Sequence, residues 1–500
     1  MRRAALAGVG VALVATGCAV GPNFRAPAAP AVGGYVAGAL PTPSTSIGTA
    51  AGVPQRLLPG RDLPGEWWRL FGSAKLDGLV ASAMANYPGI AAQQAALRAA
   101  RADARAGRGA LLPQAQGEAD AQRAQVSGAS IAPGFPGFIT NIFQTDISLS
   151  YTFDLAGGER RALEGLRAKA EEQRFLLEGS YLTLTANVAA TAVQLASVNE
   201  ELSVTREVIA LERKQLGLIR RQYAIGTRTR ADVLQQRSNL AAVRASLPAL
   251  QQRRAAALHA LAVLTGRFPY DAAPVEITLS DLRLPSDLPL SLPSALVAQR
   301  PDIRAQEALM HAASAAIGVA TANMLPQLTL RGTTGGESLV FADLLKPGAG
   351  IWSLSGGLTQ PLFAGGSLYA KRRAAVAAYD QAAALYRLTV LNAFQNVADT
   401  LTALGNDAEA LAAENDALGA AKASLDLIER QYDAGAVTYV SLLAAQQSYQ
   451  QSRIAYVRAA ASRYTDTIAL FQALGGGWWN RTATGPIHAR RVSAVPMTGR

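Results

Sequence analysis

"RQYAIGTRTRADVL" (221–234) and "RQYDAGAVTYVSLL" (430–443) are two versions of one phrase, 209 positions apart in a chain of 500 residues. Each holds a single glycine, Gly226 or Gly435, at the point where a helical pattern stops and another begins. Glycine reaches the left-handed backbone region cheaply, so it commonly ends helices. A sequence that turns twice in the same way is an internal repeat, and its period sets the architecture.

Upstream of each glycine runs a heptad seam. In the first copy, positions step four and three through Leu177, Tyr181, Leu184, Val188, Thr191, Leu195, Val198, Leu202, Thr205, Ile209, Glu212, Leu216, Ile219 and Tyr223. Adding 209 lands on Tyr386, Val390, Ala393, Val397, Leu404, Leu411, Leu418, Leu425, Ile428 and Tyr432 among others. Sustained stepping of this kind predicts coiled-coil packing. No proline interrupts 138–246 or 363–484. One helix over 158–224 is then about 100 Å long at about 1.5 Å per residue. Returning helices are predicted over 231–265 and 439–474, so each copy is a helical hairpin with a tip.

Ahead of each long helix the period changes to two. Phe143, Ile147, Leu149, Tyr151, Phe153 and Leu155 alternate with Gln144, Asp146, Ser148, Ser150, Thr152 and Asp154; Trp352, Leu354, Leu358 and Leu362 alternate with Ser353, Ser355, Gly357 and Thr359. Partner strands are expected near 114–126 and 327–335. Strands of about ten residues, apolar on one face and polar on the other, match membrane strands around a wet lumen. Four strands per chain cannot enclose a pore, and an open edge in lipid leaves backbone groups unpaired. Two chains make a barrel just filled by side chains, whereas three make twelve strands and an open bore. The expected fold is α+β and mainly helical, a trimer with a 12-stranded β-barrel continued by a helical one.

The repeat continues upstream, where "YPGIAAQQAALRAARADARAGRGALLPQ" (87–114) aligns without gaps on 300–327. It divides the chain into a signal peptide (1–17), a lipidated N-terminal segment (18–62), a first repeat (63–267), an inter-repeat linker (268–299) including the Pro-rich "LPSDLPLSLPSAL" (284–296), a second repeat (300–474) and a tail (475–500). Arg2 and Arg3 precede "AALAGVGVALVA", an apolar run of export-signal length. Beyond it no run approaches the roughly 20 apolar residues of a membrane helix, so any spanning part is expected to be β.

Cys18 is the only cysteine, which rules out an internal disulfide. Ala15, Thr16 and Gly17 before it resemble the lipobox of bacterial lipoproteins, and Cys18 is expected to carry lipid. An ordinary secretory signal with an incidental cysteine is the alternative.

Composition excludes other classes. Arg2, Arg3 and four arginines after Asn480 supply more than half of the +11 net charge, and no basic block is interleaved with aromatics, so no nucleic-acid partner is expected. His259, His311 and His488 are too scattered for a metal site, and no phosphate loop is present. No enzyme and no cofactor is expected beyond the lipid on Cys18.

The stretches "CAVGPNFRAP" (18–27), "WWRLFGSAKLDGLV" (67–80), "QRPDIRAQE" (299–307), "QPLFAGG" (360–366) and "ALGGGW" (473–478) occur in the order found in TolC-like outer-membrane efflux channels, and the chain resembles their lipoprotein branch, the NodT or OprM type. That resemblance implies a homotrimer in the outer membrane, reaching into the periplasm. It implies export of small molecules received from an inner-membrane RND-type transporter through a periplasmic adaptor protein. A type I secretion duct and a non-channel periplasmic coiled-coil lipoprotein are the alternatives. Channel-tip and adaptor-docking residues are then Gly226, Thr227, Arg228, Asp232, Gly435 and Thr438, with Tyr223 and Tyr432 as gate candidates against simple packing. Ser441 and Ala444 stand where the first copy has Asp232 and Gln235, which argues against a dense acidic ring.

Overall fold

The computed structural model describes residues 19–481 apart from 42, 44–46, 131–132, 135 and 272–274; the signal segment, Cys18 and the tail from 482 lie outside the described residues. The chain forms two compact units, one of residues up to 28 with 94–176 and 304–389, the other of 29–93, 177–303 and 390–500. Each unit draws on both sequence repeats.

In the first unit, helix α2 (Pro88–Gly109, from Gln94 onward) leads into β2 (Gln114–Val126), which pairs with β3 (Phe138–Phe153). After α6 (Pro301–Ala322) come β5 (Gln327–Ser338) and β6 (Gly350–Thr359). The four strands form one antiparallel sheet in the order β2-β3-β5-β6. Register sorts the faces, since residues directly opposite in an antiparallel pair share one. Ala115, Gly117 and Ala121 face Leu149, Ile147 and Phe143, and Tyr151 and Phe153 face Leu330 and Leu328. Trp352, Leu354 and Leu358 complete this apolar face, 80%, 69% and 68% exposed. The opposite face carries Glu118, Asp146, Ser148, Ser150, Arg331, Ser353 and Ser355. The expected alternation is borne out, with Leu155 and Leu362 falling just beyond the strands.

The long helices are continuous: α3 spans Gly158–Ala224 and α7 spans Ser367–Asp433, 67 residues each. Their seams are the buried positions. Leu184, Val188, Leu195, Val198, Leu202, Ile209 and Ile219 are buried in the first, and Val390, Ala393, Val397, Leu404 and Leu411 in the second. By length and composition α3 does contain a stretch apolar enough to cross a membrane, unlike the expectation from the sequence, but 67% of that stretch is buried inside the fold. Its hydropathy comes from seam residues that pack on protein. The returning helices are α4 (Arg230–Leu264) and α8 (Tyr439–Ala473), and α4 stays continuous through Pro248.

In the second unit, α1 (Ala74–Asn86) follows an aromatic cluster in which Trp67 and Phe71 pack on Phe471, with Tyr464 beside Phe71. This explains the "WWRLF" stretch as core. The Pro-rich 284–296 is no free linker. Its β4 (Asp287–Leu290) pairs in parallel with β1 (Arg56–Pro59), and α5 (Pro293–Gln299) follows. Leu288 and Leu296 are fully buried, and prolines are tolerated because the sheet has only two strands, both edges.

Candidate functional site

The two tips close by the same device. Thr227 N–H donates to Gln222 O at 2.9 Å and Gly226 N–H to Tyr223 O at 3.0 Å; Ala436 and Gly435 repeat this on Gln431 and Tyr432 at 2.8 and 2.9 Å. These are the paired bonds of a Schellman cap, whose pivot residue is left-handed. Gly226 (φ +80°) and Gly435 (φ +76°) supply that conformation.

The next helix then starts on a threonine. The Thr229 hydroxyl accepts from Asp232 N–H, and the Asp232 carboxylate accepts from Thr229 N–H and Oγ1, both at 2.9 Å. Asp232 therefore sits in a capping box, and the Thr229 backbone N–H bond holds its carboxyl below the usual range, with Arg228 adding to the effect. In the second copy Thr438 caps through Ser441 N–H at 3.3 Å. Among the described residues of the tips, Asp232 has no second-copy acid matching it, because Ser441 fills that place.

Between the hairpins lies a contact that the repeat does not contain. The Arg228 guanidinium donates to the Tyr432 hydroxyl and stands 5.1 Å from the centroid of that ring and 6.0 Å from that of Tyr439. Both distances fall within the range of cation–π attraction. Behind it the Tyr439 hydroxyl donates to Gln236 Oε1, and the Gln236 amide donates to the Glu212 carboxylate and to Glu212 O at 3.1 Å. Gln236 is fully buried, and burial raises the Glu212 carboxyl above its ordinary value. Ile219, Leu442 and Leu443 pack around this chain of bonds. Of the two gate candidates, Tyr432 is tied to the first hairpin, whereas Tyr223 is 46% exposed.

Sequence reading missed Glu212, Gln236 and Tyr439 as a unit. Glu212, the one charged position on the first seam, was the available signal. It also missed Arg300 of "QRPD", which donates to Ala473 O at 3.0 Å, grips Asp302 with two bonds of 3.0 and 2.7 Å, and so caps the end of α8. "ALGGGW" is explained by Gly475, Gly476 and Gly477, all at positive φ, and by Trp478 Nε1 donating to Gln299 O at 2.7 Å.

In the first unit, the segment after Cys18 is fastened to the strand-to-helix junction. Val20 N–H donates to Ala156 O at 2.9 Å, and Arg161 donates to Val20 O and, at 2.7 Å, to Asn23 Oδ1. Phe24 stacks on His311 at 4.4 Å, and His311 bonds Glu164 at 2.8 Å. His311 is thus a packing histidine, and among the described residues no cluster could hold a metal ion.

An antiparallel sheet apolar on one face and open at both edges, led into by 22-residue helices and out of by 67-residue helices that end in glycine-capped tips, defines a membrane duct of β-barrel and helical-barrel type. The chain belongs to the outer membrane efflux protein family, whose model matches residues 79–267 and 292–476. It is 32% identical to the pyoverdine export outer membrane protein OpmQ of Pseudomonas putida over 82% of this chain and 88% of that one. It is 30% identical to the toluene efflux pump outer membrane protein TtgF of Pseudomonas putida over 98% of both. Its fold matches the outer-membrane channel OprN with a TM-score of 0.81 at 26% identity, over 92% of this chain and all of the other. The protein is an outer-membrane efflux channel of TolC-like fold.

Proposed function

We propose that three copies of this chain close a twelve-stranded barrel, and that the duct receives small molecules from an inner-membrane RND-type transporter through a periplasmic adaptor. The open edges of the sheet carry this reading. β2 and β6 each pair on one side only, and unpaired backbone groups in lipid cost several kcal/mol each. Pairing β6 of one copy with β2 of the next removes every edge. The tips at Gly226 and Gly435 are the periplasmic mouth and meet the adaptor. Cys18 carries the lipid anchor, and the bonds that fix Val20 and Asn23 hold its neighbours at the base of the sheet.

Transport energy comes from the pump. The related channels are named for cargoes as unlike as pyoverdine and toluene. This chain's cargo accordingly follows from its transporter, and its own contribution is a sealed path with a closable mouth. Deleting the gene and measuring sensitivity to a panel of toxic compounds tests this. Heightened sensitivity restored by the intact gene is expected; unchanged sensitivity to every compound that the partner pump handles would contradict it.

A further inference from the structure

The two helices that hang from the open edges of the sheet are basic where they meet it. Arg98, Arg101, Arg105 and Arg108 on α2 are exposed and recur at steps of three and four, so they share one side of the helix. α2 ends at Gly109, just before β2 begins at Gln114. At the other edge, Lys371, Arg372 and Arg373 lie in the first two turns of α7, which follows β6. Among the described residues these seven cations have no ion pair and no side-chain hydrogen bond.

Local acids do not answer them. Asp154 is paired with Arg160 at 3.0 Å, and Glu164 with Arg161 at 2.7 Å and His311 at 2.8 Å. Glu159, Asp103 and Asp380 are the acids left on these stretches of α2, α3 and α7. The feature is also confined to the edges. In the repeat, the positions of the four α2 arginines are His311, Ser314, Gly318 and Thr321 on α6, which leads to the interior strand β5.

Closure copy to copy sets β6 against the next β2. The head of α7 then meets the end of the neighbouring α2, and cations converge at each seam. Converging like charges repel unless an anion lies between them. The level of this convergence is the base of the sheet, where strands leave hydrocarbon. Residues 19–20, next to the expected lipid site, are fastened at that same junction through Ala156.

We propose that each seam between copies binds the phosphate of an anionic phospholipid headgroup, held by Arg105 and Arg108 of one copy and by the basic turn of Lys371, Arg372 and Arg373 of the next. Arginine and lysine donate charge-assisted bonds to phosphate oxygens. Each cation near an anionic lipid surface strengthens binding about fivefold. The inference rests on three-copy closure.

Native mass spectrometry of the detergent-purified protein, incubated with phosphatidylglycerol or with zwitterionic phosphatidylcholine, tests it. The trimer is expected to retain phosphatidylglycerol at least tenfold better, up to three lipids per assembly. The variant R105Q/R108Q/K371Q/R373Q should lose that preference, while R105K/R108K keeps most of it. Equal retention of both lipids by the trimer overturns the proposal. So does unchanged preference in the glutamine variant, or a change in that variant's ion selectivity with lipid retention intact, which would assign these cations to the lumen. The protein mass in the same spectra reads closure separately: trimers without lipid preference refute only the lipid site, whereas monomers alone refute the closure on which it stands.

Discussion

Arg228 and Tyr432, 204 residues apart in the chain, join the tip of the first hairpin to that of the second through one hydrogen bond and the face of one ring. The repeat makes the hairpins alike, but this bond makes them hold each other. On the proposal that these tips form the periplasmic mouth, opening separates the hairpins and breaks this pair. Arg228→Ala and Tyr432→Phe are therefore expected to raise the resting conductance of the channel in planar bilayers several-fold, with assembly unchanged. Arg228→Lys keeps the charge but not the planar fork, and is expected to fall between the wild type and those two variants. Wild-type conductance in all three variants would remove the lock from the account.

The tip glycines are a backbone requirement. At φ +80° and +76° a β-branched residue is strained by about 1–2 kcal/mol or more. Nothing lies within 4 Å of a Cβ placed at either position, so the strain is conformational and not a clash. Gly226→Val and Gly435→Val should distort the mouth, leave the sheet intact and impair adaptor docking. Resistance in a deletion strain complemented with either variant is the measurement, and a loss of more than half is expected while the amount of assembled protein in the outer membrane stays normal.

Burial, reinforced by Asp466 beside it and opposed by Arg463, holds the Asp407 carboxyl up at about 7. The folded protein thus holds a proton that the unfolded chain releases near pH 4. Stability from this group is full below about pH 4 and is lost as pH rises towards 7. Asp407→Asn should flatten that slope. Thermal unfolding is expected to show the variant stabilised by about 1 kcal/mol at pH 8, a value reduced by the partial exposure of the site, and little changed at pH 5. Equal effects at both values would show that the carboxyl is ionised throughout.

What the sequence made legible follows from which interactions are periodic. The seam from Tyr181 to Ile219 repeats every seven residues, and the helix it predicts, 158–224, is the helix observed. Alternation from Phe143 to Phe153 likewise placed a strand and its outer face. β2 was fainter because Ala115, Gly117 and Ala121 give its apolar face little contrast. The Pro-rich 284–296 misled because a two-stranded sheet needs few backbone donors, so Pro289 fits opposite Leu58. Arg228 with Tyr432, and Tyr439 with Gln236, were not legible as partners. Their partnership depends on how two hairpins more than 200 residues apart lie side by side, and no local pattern carries that. Asp232 reads from sequence as a mouth carboxylate, and its capping bonds to Thr229 became visible only with the turn geometry.

The central claim is that four strands per chain are closed by copies of the same chain. Mild detergent extraction from the outer membrane, followed by mass measurement of the protein that conducts in planar bilayers, tests it most directly. The account predicts three copies in the conducting particle and no conductance from single chains. A stable, conducting monomer would contradict it.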